Sequence, residues 1–298
     1  MISKDAYVEI SKLKVSPGMT VNLKDFATDY QGEELKKSEG EKLLEAGRKR
    51  LAEMQTRLYA HNRYGVLIIL QAMDAAGKDG TVKHIMSGVN PMGVRITSFK
   101  APSSEELDHD YLWRHALVLP RRGEIAIHNR SHYENVLVTR VHPGYVLKEN
   151  IPGINSLENI NQDFWENRFR QIKRFEKNVA RNGTIILKFF LHLSKEEQKK
   201  RLVARIDDPS KNWKFDIGDL KERSYWDDYQ RAYEEAISAT STSYAPWFII
   251  PADNKWYTRL AIAAVIYQRL KKLEIDYPAV SKEHRNALQQ ARAELMAD

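Results

Sequence analysis

The sequence predicts an α/β protein, a three-layer α/β/α sandwich built around a mainly parallel five-stranded sheet. Five short strand candidates alternate with longer segments that are predicted to be helical. The first of them, Val66–Leu70, is apolar at every position, as expected of a central parallel strand that helices cover on both faces. No repeat, low-complexity stretch or linker divides the 298 residues, so they are predicted to form a single domain.

The strands and helices are predicted from their apolar spacing and from local start and stop signals. The strands are residues 66–70, 95–99, 124–128, 184–191 and 247–250. The helices are residues 41–61, 78–87, 103–118, an aromatic-rich segment before the fourth strand, a basic helix from Ser194, 220–237 and 256–273. Capping boxes at Ser103–Glu106 and Ser194–Glu197 support two of the helix starts. Residues 1–40 are predicted to be a polar arm and residues 279–298 a peripheral helical tail.

Composition and charge narrow the class of protein. Hydrophobic residues make up 42% and charged residues 29%, which is typical of a folded globular chain. No apolar run approaches the roughly 20 residues that span a bilayer, and the N-terminus lacks the apolar core of a signal peptide, so a cytoplasmic location is expected. The absence of cysteine excludes disulfides, thiolate nucleophiles and cysteine-ligated metals. The net charge of +7 favours a polyanionic partner, which could be nucleic acid, polyphosphate or nucleotides.

The segment that follows the first strand predicts a phosphate-binding loop. A turn of small residues leads to Gly77-Lys78, which begins an amphipathic helix. Backbone N–H groups in such a loop and at the helix N-terminus bind phosphate, and Lys78 would add a mobile positive charge. The predicted phosphate contacts are Ala75, Ala76, Gly77, Asp79, Gly80, Thr81 and, from the helix, Lys83.

The loop departs from the standard pattern at two positions. Ala72 replaces the first glycine, and Asp79 replaces the Ser or Thr whose hydroxyl normally binds Mg²⁺. The loop also contains an additional carboxylate, Asp74, which suits a site that holds metal and brings two polyanions together. The alternative for such a degenerate match is an ordinary turn with a surface lysine.

A second polar cluster, Asn129–Ser131, follows the third predicted strand. Because the carboxyl ends of parallel strands lie at one edge of the sheet, the loops 71–78, 100–104, 129–131 and 251–255 are predicted to form one cleft. Arg130 could bind phosphate through its planar guanidinium. A helix cap at Ser131 explains the cluster equally well when it is considered alone. Its pairing with the phosphate-binding loop favours the functional interpretation.

Together these segments resemble the type-2 polyphosphate kinase family. The resemblance rests on Gln71–Gly80, Gly88–Pro91, Asp110–Arg114, Asn129–Glu134, Lys211–Phe215, Lys221–Arg223, Ala245–Trp247, Pro251–Asp253 and Lys255-Trp256. It covers about residues 55–275. The resemblance implies a P-loop kinase fold akin to thymidylate kinase, with a mobile helical lid at about residues 205–223.

The resemblance also implies the reaction and the residues that carry it. The reaction would be a reversible, Mg²⁺-dependent phosphoryl transfer between polyphosphate and a nucleoside mono- or diphosphate, with Mn²⁺ as a substitute metal, in a dimer or tetramer. AMP and ADP are the favoured acceptors and GDP is a further candidate. The corresponding products would be ADP, ATP and GTP. The implied catalytic residues are Asp74, Lys78 and Arg130. The implied metal ligands are Asp74 and Asn129, the latter directly or through water. The nucleotide contacts would be Asn90, Asn129 and Glu134, although Glu134 could equally only start a helix. The polyphosphate and lid contacts would be Arg201, Arg205, Lys211, Lys214 and Arg223.

One departure from the family concerns residue 129, where some members carry Asp. An amide oxygen is a weaker Mg²⁺ ligand than a carboxylate, so more of the ligation is assigned to Asp74. Two other interpretations of the chain are an NTP-dependent nucleoside monophosphate kinase and, more distantly, a non-catalytic nucleic-acid-binding protein. The first would require a standard loop, and the second lacks a recognition motif, while Asp74 would repel a nucleic-acid backbone. Neither nucleic acid nor membrane is therefore expected as a partner.

Overall fold

A computed structural model describes residues 8–32 and 35–297. It contains a five-stranded sheet in the order β2-β3-β1-β4-β5, and all neighbouring strands in it run parallel. The strands are β1 (Gly65–Ala72), β2 (Val94–Ser98), β3 (Ile125–Asn129), β4 (Thr184–His192) and β5 (Trp247–Pro251). The five predicted strands are therefore present, and the predicted parallel sheet is confirmed.

Helices connect the strands and cover both faces of the sheet. They are α1 (Ile10–Leu13), α2 (Lys37–His61), α3 (Lys78–Ile85), α4 (Ser104–Leu107), α5 (Trp113–Ala116), α6 (Glu134–Val141), α7 (Gln162–Arg181), α8 (Lys195–Ile206), α9 (Gly218–Ser224), α10 (Trp226–Thr240), α11 (Lys255–Lys271) and α12 (Lys282–Leu295). Short 3₁₀ turns lie at Leu23–Asp25, Pro91–Gly93, Pro143–Glu149, Leu157–Asn159 and Asn212–Lys214. In the part of the chain described, no helix combines the length and the hydropathy that crossing a membrane requires.

Two hydrophobic cores lie on opposite faces of the sheet. Side chains alternate along β1, so that Ile68 packs with α2, α3 and α11, whereas Ile69 packs with α6, α7 and α10. Every residue of β1 is buried, because the strand lies in the middle of the sheet and is covered on both sides. This arrangement confirms the predicted three-layer sandwich, and it explains why β1 has no polar face.

Two helices predicted to be continuous are each broken, so these predictions were wrong. The predicted helix 103–118 consists of α4 and α5, because the Asp110 carboxylate accepts a hydrogen bond from the N–H of Leu112 and forms a turn between them. The predicted helix 220–237 consists of α9 and α10, which meet at Tyr225. Just before this junction the Ser224 hydroxyl donates to the carbonyl of Lys221.

The helix after β3 begins later than a cap at Ser131 would require. Its first residue is Glu134, and Tyr133 occupies the cap position. The Ser131 hydroxyl instead accepts hydrogen bonds from the N–H of Tyr133 and from the side-chain amide of Gln71. Ser131 therefore connects the loop after β3 to the end of β1.

Candidate active site

The loops at the carboxyl ends of β1, β2 and β3 surround a cavity of about 790 Å³, called here the large cavity. Residues 74–81, 98–101 and 129–130 line it from the sheet side, while α8, the segment 211–214 and the start of α11 line it from the other side. Three of the four loops predicted to meet thus do so. The fourth contributes only Lys255 to the cavity wall.

The phosphate-binding loop has the backbone shape that its sequence predicts. Ala75 (φ +61°) and Gly77 (φ +98°) are both left-handed, and they flank Ala76. An alternation of this kind turns successive N–H groups towards one side and forms an anion-binding concavity. Gly77 also caps α3, whose first N–H groups have no acceptor within the helix. A cradle of amides therefore lies at the wall of the large cavity.

Lys78 lies in the same wall, and its ammonium is poorly solvated. Its Nζ donates a 2.9 Å hydrogen bond to the carbonyl of Ala72, across the loop. Burial, with a further contribution from the neighbouring Arg130, lowers the pKa of Lys78 below its usual value. An anion that entered the cavity would relieve this loss of solvation, since it favours the charged form of the lysine.

Asp74 and Arg130 form an ion pair between the loop and the end of β3. Nη2 of Arg130 lies 3.1 Å from Oδ1 of Asp74, and its Nη1 lies 3.8 Å from Oε2 of Glu134. Arg130 has a left-handed backbone (φ +64°), with its N–H bonded to the carbonyl of Leu70. Glu134 and Asp74 keep the pKa of Arg130 high despite its burial.

A second cavity of about 280 Å³, called here the small cavity, shares Asp74 and Arg130 with the large one. Most of its remaining wall comes from α6, α9, α10 and the loop before α9, and includes Glu134, Tyr229 and Tyr233. Burial raises the pKa of the Glu134 carboxyl above its usual range. The ion pair therefore stands at the boundary between two cavities.

Asn129 donates hydrogen bonds from its side-chain nitrogen to Oδ1 of Asp79 at 2.6 Å and to the Ser98 hydroxyl at 3.3 Å. Its side-chain oxygen is buried and has no hydrogen-bond partner. A buried oxygen without a partner is suited to accept a hydrogen bond from a metal-bound water or to bind a cation. The described residues contain no group of three or more His, Cys, Asp or Glu side chains arranged around a metal position. Such a sparse protein donor set fits Mg²⁺, which keeps several waters and binds substrate phosphates.

The predicted lid residues occupy different positions. Arg205, Lys211 and Lys214 line the large cavity, whereas Arg223 lines the small one. Arg205 lies 3.4 Å from the Asp219 carboxylate, and Lys211 pairs with Asp208. Arg223 donates to the carbonyl of Lys195 and to the side-chain oxygen of Gln198. The segment therefore covers both cavities from one side.

Two predicted contacts lie away from the cavity surfaces, and the guanidinium of a third is directed to the protein backbone. Asn90 caps the turn at Pro91–Gly93 through the N–H of Met92, and neither it nor the exposed Lys83 lines either cavity. Arg201 touches the large cavity, but its guanidinium is directed to backbone carbonyls behind the loop, so it is not free to bind polyphosphate as predicted.

Several cavity residues were not predicted individually from the sequence, although Lys100 and Lys255 belong to loops that were predicted to form the cleft. Lys100, Lys255 and Arg259 line the large cavity, and His142, Glu222, Tyr229 and Tyr233 line the small one. Lys255 and Arg259 lie one turn apart in the first turns of α11, directly after β5. That spacing on a helix beginning at the carboxyl edge of the sheet is a signal that could have identified both.

Comparison with known proteins agrees with this architecture. Residues 34–278 match the family model described as Polyphosphate kinase 2 (PPK2). An ADP-polyphosphate phosphotransferase from Rhodopseudomonas palustris is 46% identical over 289 residues, which is 97% of this chain and 99% of the relative. An AMP/ADP-polyphosphate phosphotransferase from Meiothermus ruber is 46% identical over 270 residues, 90% of this chain and 96% of the relative. The crystal structure of polyphosphate kinase 2 from Arthrobacter aurescens TC1 is 40% identical, covers 94% of this chain and 95% of its own, and superimposes with a TM-score of 0.83.

Proposed function

The chain belongs to the polyphosphate kinase 2 family, and we propose that it transfers a phosphoryl group between inorganic polyphosphate and a nucleoside mono- or diphosphate, with AMP and ADP as the favoured acceptors. The chain is an enzyme that transfers phosphate between polyphosphate and nucleotides. The preference for adenine nucleotides is supported by the names of the two relatives described above. GDP is proposed as a further acceptor.

The difference in charge between the two cavities is the observation that carries the assignment of substrates. Nine basic and three acidic side chains are among the residues lining the large cavity, whereas five acidic and two Arg or Lys side chains line the small one. A polyanionic chain is attracted to the first and repelled by the second. We therefore place polyphosphate in the large cavity and the nucleoside part of the acceptor in the small one. The transferring phosphoryl group then lies at their boundary, beside Asp74 and Arg130.

Positioning and charge neutralisation account for the proposed reaction. The attacking atom is an ionised phosphate oxygen, so no general base is needed. The loop N–H groups and Lys78 would hold the donor phosphates, and Arg130 would neutralise charge on the transferring group. Because the attacking and leaving atoms are both phosphate oxygens, the reaction should run in both directions.

Asp74 and the side-chain oxygen of Asn129 would hold Mg²⁺ directly or through water. When bound, Mg²⁺ would neutralise phosphate charge and align the two substrates, and Mn²⁺ would substitute for it. Arg130 bridges Asp74 and Glu134, and thus helps to keep Asp74 oriented. A homo-oligomer, dimer or tetramer, is also proposed on the family resemblance. A cytoplasmic location, which was predicted from the sequence, stays a proposal.

The decisive experiment separates the nucleotide products by chromatography. Purified protein, Mg²⁺ and long-chain polyphosphate are mixed separately with AMP, ADP, GMP or GDP. Lys78→Ala is expected to lower the rate on the order of 100- to 1,000-fold. The exposed Lys177, which lines neither cavity, supplies the matched control Lys177→Ala.

The products also distinguish the rival function. Product formed from polyphosphate and lost in Lys78→Ala supports the proposal and identifies the acceptor. Transfer from ATP to a monophosphate, with no product from polyphosphate, would assign the chain to the NTP-dependent kinases instead.

A further inference from the structure

We propose that Arg201, together with Gln198, is a positioning residue that holds the backbone of the phosphate-binding loop in its anion-binding shape. The proposal rests on the proposed function, because it concerns the same loop. Both residues belong to α8 and face the loop from behind. They are nearly buried, with exposed fractions of 8% for Arg201 and 1% for Gln198.

The guanidinium of Arg201 makes five hydrogen bonds inside the protein. Its Nε donates to the carboxylate of Glu197 at 2.8 Å. Its Nη1 donates to the carbonyls of Ala75 and Ala76, at 3.2 and 2.8 Å. Its Nη2 donates to the carbonyls of Ala252 and Asp253, at 2.7 and 3.0 Å. A guanidinium has five N–H groups, so all of them are used and none remains for a phosphate.

Gln198 extends the same contact by one residue of the loop. Its side-chain nitrogen donates a 3.0 Å hydrogen bond to the carbonyl of Asp74. Three successive loop carbonyls, those of residues 74, 75 and 76, are thus bound to α8. The side-chain oxygen of Gln198 accepts a 2.6 Å hydrogen bond from Arg223, which also connects the loop to the lid.

Binding these carbonyls determines where the loop N–H groups point. In a planar trans peptide, the C=O of one residue and the N–H of the next point in opposite directions. When the carbonyls of Asp74 and Ala76 are directed to α8, the N–H groups of Ala75 and Gly77 are directed away from it. Those two residues line the large cavity. Their donors can therefore face a bound phosphate.

The backbone of Ala75 shows why the loop needs this support. Its φ of +61° is a left-handed conformation that is unfavourable for a residue with a Cβ atom. The hydrogen bond from Arg201 to its carbonyl stabilises this conformation. Lysine at position 201 would keep the charge, but its single ammonium cannot bridge carbonyls on two separate segments in the planar geometry of a guanidinium.

The test compares Arg201→Lys and Gln198→Met with the wild type. For both variants kcat is expected to fall, on the order of 10- to 100-fold for Arg201→Lys and less for Gln198→Met, because misplaced loop donors no longer fit the transition state. KM for polyphosphate should change less than about twofold, since no direct polyphosphate contact is removed. The exposed Lys200 on the same helix provides the control Lys200→Ala, which should retain wild-type kcat.

Hydrogen exchange of the amides of residues 74–79 provides a measurement that needs no substrate. Faster exchange in this segment, with unchanged exchange in β1 and β4, is expected for both variants. If the wild type makes no product from polyphosphate, the proposed function fails, while the exchange result still tests the positioning role.

A direct role in polyphosphate binding would give the opposite pattern. Arg201→Lys would then retain kcat and raise KM for polyphosphate, and loop exchange would not change. That outcome overturns the proposal. If Arg201→Lys does not fold, Gln198→Met decides, and wild-type kcat together with wild-type loop exchange in that variant would also overturn it.

Discussion

The side-chain nitrogen of Asn129 donates a 2.6 Å hydrogen bond to the carboxylate of Asp79 and so connects the end of β3 to the first turn of α3. This contact joins two residues that each differ from the residue expected at their position in a motif. Asp79 occupies the position where a phosphate-binding loop usually carries a hydroxyl, and Asn129 occupies a position where some family members carry Asp. An amide donor and a carboxylate acceptor are complementary, whereas two carboxylates at this distance would repel each other.

Asn129→Asp should alter the Mg²⁺ dependence of the reaction. The substitution places a second carboxylate against Asp79, which should lower the melting temperature in the absence of metal, and bound Mg²⁺ should offset the repulsion. Activity and melting temperature are measured across a magnesium titration. Asp79→Asn is the companion variant, since it removes one charge from the same contact. An unchanged titration in Asn129→Asp would remove residue 129 from the metal site.

Single losses of the lid lysines should weaken polyphosphate binding only modestly. Lys211→Ala and Lys214→Ala are each expected to raise KM for polyphosphate by up to about fivefold, because a single screened surface charge contributes about 1 kcal/mol or less. The effect should shrink at high salt. Steady-state kinetics at two salt concentrations provide the measurement. The exposed Lys221, on α9 and outside both cavities, serves as the control, and an equal effect of Lys221→Ala would mean that only net charge matters.

Breaking the buried ion pair between Lys188 and Glu176 should strongly destabilise the fold. Nζ of Lys188 lies 2.7 Å from Oε2 of Glu176, and both side chains are fully buried. Lys188→Met leaves the carboxylate without its cation and should lower the free energy of unfolding by about 3–5 kcal/mol. The double variant Lys188→Met/Glu176→Leu should be less destabilised than Lys188→Met alone. Urea denaturation measures both. A double variant as unstable as the sum of the single variants would contradict this expectation.

Stability should fall as the pH drops towards 5, because buried histidines resist protonation. Burial lowers the pKa of His128 to about 4, and it also lowers the pKa of the neighbouring His115. The unfolded chain binds a proton near pH 6.5 and the folded one does not. The free energy of unfolding is therefore highest above about pH 6.5 and falls between about pH 6.5 and 4. Protonation linked to His128 alone should lower the free energy of unfolding by about 2 kcal/mol at pH 5.

The variant His128→Phe should lose less melting temperature than the wild type between about pH 7 and pH 5. Phenylalanine suits the site because His128 already packs edge-on against Phe99. The exposed His284 on α12 provides the control His284→Gln, whose pH profile should match the wild type. An identical pH profile in His128→Phe would exclude this histidine as a source of the effect.

The parts of the fold that could be predicted from the sequence are those that short contiguous segments encode. Most of the strands contain apolar runs, and β1 is buried at every position, so the existence of the strands could be predicted although their ends differ by one or two residues. The breaks in the two helices could not be predicted. In the first, a hydrogen bond from the N–H of Leu112 to the carboxylate of Asp110 is enough to stop a helix that the apolar spacing would continue. Local competition of this kind leaves little trace in periodicity.

The sequence by itself determined where the phosphate-binding loop lies, because its strand, turn and helix start are adjacent along the chain. Only the tertiary structure decided which distant charged residues contact this loop and which line the cavity beside it. Arg201 and Arg205 lie one turn apart on α8 and are chemically identical. The first is buried against loop carbonyls, while the second lies at the wall of the large cavity. Packing of α8 against the loop and the end of β5 makes this difference, and it involves residues more than fifty positions apart in the sequence.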